Sequence, residues 1–221
     1  MTPTEVVSMF RSYADEDDGT FLTDTQVALY LRNGYSDFRR SVCNVDPYIY
    51  SKSFLFELSD SNILDLETTT PPLAGINAVA GTKLERVLRV ASINSLLENK
   101  VIEYLSGSPS EGGMALFGYA LTANKIILGG TSNGTFRLEY VPQHGVVFDP
   151  SIGISPYLDD LDSFHDMIPL YAYRRYAIRD GADSPQVLGE MANKEYALAN
   201  FLQSGRSNEG SSFVSHYSGG W

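Results

Sequence analysis

Cysteine is almost missing from this 221-residue sequence: Cys43 stands alone, which excludes an intrachain disulfide and any cysteine-based zinc site. Histidine is scarce too, with only His144, His165 and His216. No apolar run approaches the ~20 residues that span a bilayer, so no membrane helix is predicted. The opening Met1-Thr2-Pro3-Thr4-Glu5 has neither the basic head nor the apolar core of a signal peptide, and the reading expects synthesis in a cytoplasm. Positive charge is in deficit. Sixteen Lys+Arg against 27 Asp+Glu leave a formal net charge of -11. A free-standing nucleic-acid binder shows the reverse, because phosphate neutralisation supplies most of its affinity.

What is present is ordinary globular material, 43% hydrophobic and 12% aromatic, enough for one core or a core with an inserted subdomain. Val6, Val7, Met9, Phe10 and Tyr13 recur at helical spacing over residues 4–14, with Thr2 or Thr4 available as caps. The acidic turn Asp15-Glu16-Asp17-Asp18-Gly19 follows. Thr23 with Gln26 makes a capping box for a second helix, whose Val27, Leu31, Tyr35 and Phe38 form one stripe. Arg39-Arg40 are read as its last turn, complementing the helix dipole.

The period shortens to two after Pro47. Phe54, Phe56 and Leu58 alternate; so do Leu84, Arg86, Leu88 and Val90. A hairpin is predicted from Tyr119-Ala120-Leu121 through Thr122-Ala123-Asn124 to Lys125-Ile126-Ile127-Leu128, then a strand over 135–140. The middle therefore reads as an antiparallel meander, a small sandwich or barrel. Residues 93–105 fit a helix or a long loop equally.

Helical spacing returns at Phe164, Met167, Ile168, Tyr171, Arg175 and Ile178, with Pro169 in the first turn or at a kink. Ser184-Pro185 opens a further helix with Val187, Leu188, Met191, Leu198, Phe201 and Leu202 as its stripe, and Gly205 is predicted to stop it. Neither helix pair can bury its stripe alone. The expected class is thus α+β: a four-helix bundle from residues 1–46 and 160–204, an inserted antiparallel β-subdomain over 47–159, and a flexible arm from 205 to 221.

No chemistry stands out. A calcium loop fails on register: with Gly19 as its invariant glycine, the first and twelfth ligand positions fall on Ala14 and Thr25. The Asp162–Asp166 stretch offers His165 among carboxylates but no second histidine, and reads as a helix start. No Gly-x-Ser-x-Gly elbow and no phosphate-cradling Gly-Lys-Ser/Thr occurs. Catalytic residues, cofactors and metal ligands are accordingly not assigned. Two features do ask for partners. Arg174, Arg175 and Arg179 form a basic patch, either compensating a helix dipole with surface ion pairs or touching an acidic neighbour. The Ser/Gly-rich arm carries Phe213, Val214, His216, Tyr217 and Trp221, either an interface segment that orders on docking, as an added β-strand, or a terminus that frays or folds back onto its own bundle.

The order of parts resembles the head-to-tail adaptor (connector, or neck) proteins of tailed bacteriophages and gene transfer agents. Four segments carry the resemblance: Phe21-Leu22-Thr23-Asp24 into Val27-x-x-Tyr30-Leu31-Arg32-Asn33-Gly34-Tyr35-x-x-Phe38; Phe54-Leu55-Phe56 to Leu64-Asp65-Leu66 ahead of Pro71-Pro72-Leu73; Tyr119 through Leu128 to Phe136-Arg137-Leu138-Glu139-Tyr140; and Asp166-Met167-Ile168-Pro169-Leu170-Tyr171-Ala172. What the resemblance implies is a structural virion protein and not an enzyme. It would form a dodecameric ring in the neck of the particle, between the portal protein and a tail or nozzle protein. DNA would pass through the ring without sequence-specific binding. Two other readings stand beside it. One is a carbohydrate- or peptide-binding module with Tyr48, Tyr50 and Tyr119 as stacking surfaces; the other is a hydrolase with catalytic groups distant in sequence.

Overall fold

A computed structural model describes residues 1–15, 21–93, 101–106, 118–129, 133–148, 158–180 and 185–213; for 101–105, 180 and 205–213 it describes the backbone only. The chain is α+β and divides into two compact units, Met1–Asp46 with Val146–Trp221, and Pro47–Gly145. The sequence reading carried the insertion on to residue 159. The chain instead rejoins the helices from Val146, because Phe148 packs edge-on against Tyr35 and Leu158 and Asp159 bond to it.

The helical unit begins with α1 (Pro3–Tyr13) and α2 (Asp24–Val45). Both open on complete capping boxes, Thr2 with Glu5 and Thr23 with Gln26, so two otherwise unpaired N–H groups at each start are satisfied. Arg39 and Arg40 are not in the last turn of α2, as the dipole argument had them. Nothing between Ser41 and Val45 breaks a helix, and the stop comes at Asp46, whose extended backbone is what a following proline imposes. A single 3-10 turn (Asp162–Phe164) then leads into α3 (Met167–Asp180), with Pro169 inside the first turn, where its missing N–H costs nothing. α4 runs Pro185–Phe213 and passes through Gly205, which the sequence reading took as its end. A helical glycine costs only ~1 kcal/mol against alanine and need not stop a helix. Ser184, its expected cap, lies outside the described residues.

α2 packs against α3 most extensively; α1 packs on both, and α4 on α2 and α3. Val6, Phe10, Val27, Leu31, Phe38, Val42, Ile168 and Leu170 are fully or almost fully buried. The tightest point is Gly34. A Cβ there would stand 2.7 Å from the Ile168 carbonyl oxygen and 3.0 Å from the Ala172 Cβ, so α2 and α3 meet backbone to backbone.

The β unit holds seven strands: β1 (Lys52–Leu58), β2 (Ile63–Asp65), β3 (Leu84–Ile93), β4 (Val101–Ser106), β5 (Gly118–Thr122), β6 (Lys125–Leu128) and β7 (Gly134–Pro142). Their order is β1-β7-β3-β4-β5-β6-β2. It is not a meander. The last strand inserts between the first and third, and two antiparallel groups join through a short parallel contact of β4 with β5 at Leu105 and Gly118. Their inner faces share one core, with Phe56, Val90, Phe136 and Leu138 from one group and Leu64, Tyr119, Ile126 and Leu128 from the other. Two further calls are corrected. The ambiguous stretch 93–105 ends in strand β4. β3 does not alternate simply, because register shifts at Leu84/Arg86 and Val87/Arg89 turn Val87 and Val90 to the core.

Gly34→Ala should destabilise the protein by about 1–3 kcal/mol, lowering its melting temperature by roughly 3–10 °C. Helix propensity alone argues for a gain of about 1 kcal/mol. Thermal unfolding followed by circular dichroism separates the two signs, and an unchanged or higher midpoint would refute the close approach.

Candidate functional site

The three predicted arginines share helix α3 but not one environment. Positions 171, 174, 175 and 178 fall on one face of α3, since they are separated by three and four residues. Together with Asp37, Arg40, Ser41 and Asn44 of α2 and Glu195 of α4 they line an open groove of about 530 Å³. Arg175 is committed within it: its Nε and Nη2 donate to the two carboxylate oxygens of Asp37 at 2.6 and 2.8 Å. That carboxylate beside it raises the guanidinium's already high pKa, against a smaller opposing effect of burial. Arg40 donates to Asp37 as well, at 3.2 Å, and stays 66% exposed. Arg174 is exposed and makes no ion pair or hydrogen bond among the described residues. Ile178, 59% exposed, gives the groove an apolar rim.

Glu195 is exposed and accepts the Tyr171 hydroxyl at 2.6 Å. Burial first, and the bond to Glu195 second, push the Tyr171 phenol far above its ordinary range. Three arginines against Asp37 and Glu195 leave the groove with a small net positive charge.

Arg179 faces elsewhere. Its guanidinium lies 5.5 Å from the Tyr176 ring centre and 5.7 Å from that of Tyr30, and these rings with Phe10 join α1, α2 and α3. It is exposed and does not line the groove. Of the arm, Phe213 ends α4, while Val214, His216, Tyr217 and Trp221 lie outside the described residues.

A second polar cluster was missed as a unit. Asp159 accepts the Leu161 N–H at 2.9 Å and lies 2.6 Å from Nε2 of His165, which is completely buried. The Tyr35 hydroxyl donates to the other Asp159 oxygen at 3.0 Å and lies 3.2 Å from the Leu158 carbonyl. Burial, and then the adjacent Asp159 charge, drive the Tyr35 phenol strongly upward. The Asp162-Ser163-Phe164-His165 motif was legible as a helix start. Its partner Tyr35, more than 120 residues earlier, carries no local signal. The arrangement fixes the approach to α3 against α2, and these side chains line neither described cleft.

In the β unit an open cleft of about 830 Å³ is lined by Glu67, Gly75, Ile76, Lys83, Asn124 and neighbours. Of the three tyrosines considered for stacking, Tyr119 is core, Tyr50 is half-buried and only Tyr48 is exposed. None lines that cleft. Among the described residues no three His, Cys, Asp or Glu side chains gather closely enough to hold a metal ion, and no helix is long and apolar enough to cross a membrane. No protein-family model matches the chain, and neither does any curated protein.

The two phenols set a pH dependence. Both pKa values rise on folding, so the neutral phenols contribute stability that is fully present below the unfolded value near 10 and is lost as pH climbs above it. Wild-type stability to urea should fall between pH 9 and pH 11, and less steeply in Tyr35→Phe/Tyr171→Phe. At neutral pH, Tyr35→Phe should cost about 1–3 kcal/mol, because the Asp159 oxygen loses its donor. Equal slopes in the two proteins would show that these hydroxyls are not held as described.

Proposed function

We propose that this chain is a structural virion protein, a ring-forming head-to-tail adaptor whose contacts with neighbours, and not turnover of a substrate, are its function. One observation carries the need for neighbours. The 29 residues of α4 span about 43 Å, twice the length of α3. Among its described side chains, residues 185–204, the buried apolar ones are Met191, Leu198 and Leu202, while Leu188, Tyr196 and Phe201 remain 39%, 71% and 54% exposed. Single exposed apolar residues are common. A helix segment that leaves as many large apolar side chains exposed as it buries is better explained by a further layer packed against it.

The resemblance in the order of parts supplies the kind of neighbour. On this reading the four helices form a bundle that makes the body of a ring, dodecameric in the family it resembles. The β unit faces the tail or nozzle protein, and the terminal arm with Phe213, Val214, Tyr217 and Trp221 reaches the portal protein. A lumen lined by a strongly acidic protein lets DNA pass without adhering. The site of action is then the neck of the virion, after synthesis in the host cytoplasm. A carbohydrate- or peptide-binding module is the weaker alternative, since the β-unit cleft has no aromatic platform.

Electron microscopy of the purified chain, alone and mixed with portal rings of the same particle, tests the reading. Closed rings with a central channel, seated on the portal, are the expected outcome. Failure to associate with itself and with the portal at every concentration would discard the proposal.

A further inference from the structure

The cation-lined groove of α2, α3 and α4 is the best-defined surface that the helical unit leaves open, and its chemistry specifies an occupant. Three arginines, Arg40, Arg174 and Arg175, line it against two carboxylates, Asp37 and Glu195, so the groove keeps a net positive charge, with Arg174 making no ion pair among the described residues and the apolar Ile178 at its rim. Its complement is a short run of carboxylates beside a large apolar residue. The chain contains one such run, Asp15-Glu16-Asp17-Asp18, four acids in succession and the densest negative charge in the sequence. Phe21 follows three residues later and is 84% exposed.

We infer that the acidic α1–α2 connection of one copy docks in the α2–α3–α4 groove of the next copy, its carboxylates on Arg40 and Arg174 and Phe21 toward Ile178. The same chain cannot make this contact. Arg11 ties the two ends of the connection together, with Nη2 on Asp24 at 2.6 Å and the guanidinium 3.4 Å from the Leu22 carbonyl. Asp15 and Phe21 anchor the connection, and the five residues between them, which lie outside the described residues, can reach no more than about 10 Å beyond those anchors. Arg40 stands about 24 Å along the α2 axis from Asp24. On α3, moreover, α1 packs against Tyr173 and Tyr176, the flank opposite residues 171, 174, 175 and 178.

A loop of one copy in a groove of the next is a heterologous contact, which propagates in one rotational sense and gives a ring where the rotation closes and a filament where it does not. The inference rests on the adaptor reading for the ring, though not for the pairing itself. It also gives the basic patch a purpose in a chain of net charge -11.

The test is a charge swap on the full chain, with association read by sedimentation velocity and folding checked by circular dichroism. Arg40→Glu/Arg174→Glu reverses the groove, and Glu16→Lys/Asp17→Lys/Asp18→Lys reverses the connection. Each variant alone should associate at least ten-fold more weakly than wild type, because like charges then face each other at every contact. Mixing the two should restore association, since every groove in an alternating ring again meets the opposite sign. The milder Arg40→Gln/Arg174→Gln should weaken association by a smaller factor and make it less sensitive to salt, and stands in should the reversed groove fail to fold. Association unaffected by either reversal, no rescue on mixing, or a wild-type chain monomeric throughout would overturn the inference. A chain that seats on portal rings while ignoring the reversals would overturn the groove contact and leave the adaptor reading intact. Charge-dependent self-association without portal binding would do the opposite.

Discussion

The helical unit depends on how closely α2 and α3 approach at Gly34. With the Ile168 carbonyl and the Ala172 side chain where a Cβ would sit, the two axes come together and Phe38, Leu31 and Ile168 can pack without a void between them. That approach requires α3 to enter at one angle. The entry is set just upstream, where Tyr35 of α2 binds both the backbone and the carboxylate of the 158–159 segment, and Asp159 in turn reaches His165. Gly34 and Tyr35 are adjacent in sequence. One admits α3 and the other pins its leader, so the apolar contact and the polar joint are set by the same turn of α2.

The groove follows from this geometry. Once α3 is held against α2 by the Gly34 face, residues 171, 174, 175 and 178 must project to one side, over Asp37, Arg40 and Ser41. Arg175 then meets Asp37 in a two-pronged arrangement that orients both side chains. The pair is part-exposed, and its energetic contribution to a monomer is small. Its effect is positional: Asp37 is shared between Arg175 and Arg40, which leaves Arg174 without an ion pair among the described residues.

Much of this architecture was legible in the residues. The Thr23–Gln26 capping box, Thr2 as one of two candidate caps of α1, the α2 stripe from Val27 to Phe38, and the β5–β6 hairpin around Ala123-Asn124 are local patterns, and local patterns survive in sequence. What was missed is non-local. The insertion of β7 between β1 and β3 is decided by pairing across some 80 residues, and bulges in β3 disrupt the alternation that would have revealed its inner face. The length of α2 was underestimated because paired arginines imitate a helix end. The arginines of α3 read as one patch, yet the 100° step between neighbours sends Arg179 onto the rings of Tyr30 and Tyr176 and leaves Arg174 beside the groove. Tyr35 with Asp159, and Tyr171 with Glu195, are pairs that no spacing rule would have joined.

For an acidic chain to assemble with copies of itself, as proposed, it must overcome a general difficulty, since its net charge opposes association. Spreading the few cations evenly would weaken that repulsion everywhere and specify nothing. Placing Arg40, Arg174 and Arg175 around one groove instead favours one direction of approach against a repulsive background. Specificity of that kind arises as much from the copies' mutual repulsion in every other orientation as from the favoured contact. The exposed apolar side chains of α4 have no such directionality, and their burial is worth roughly the same in many orientations. Charge placement on α2 and α3 is therefore the feature suited to selecting a register, while the apolar surface of α4 supplies area once that register is chosen.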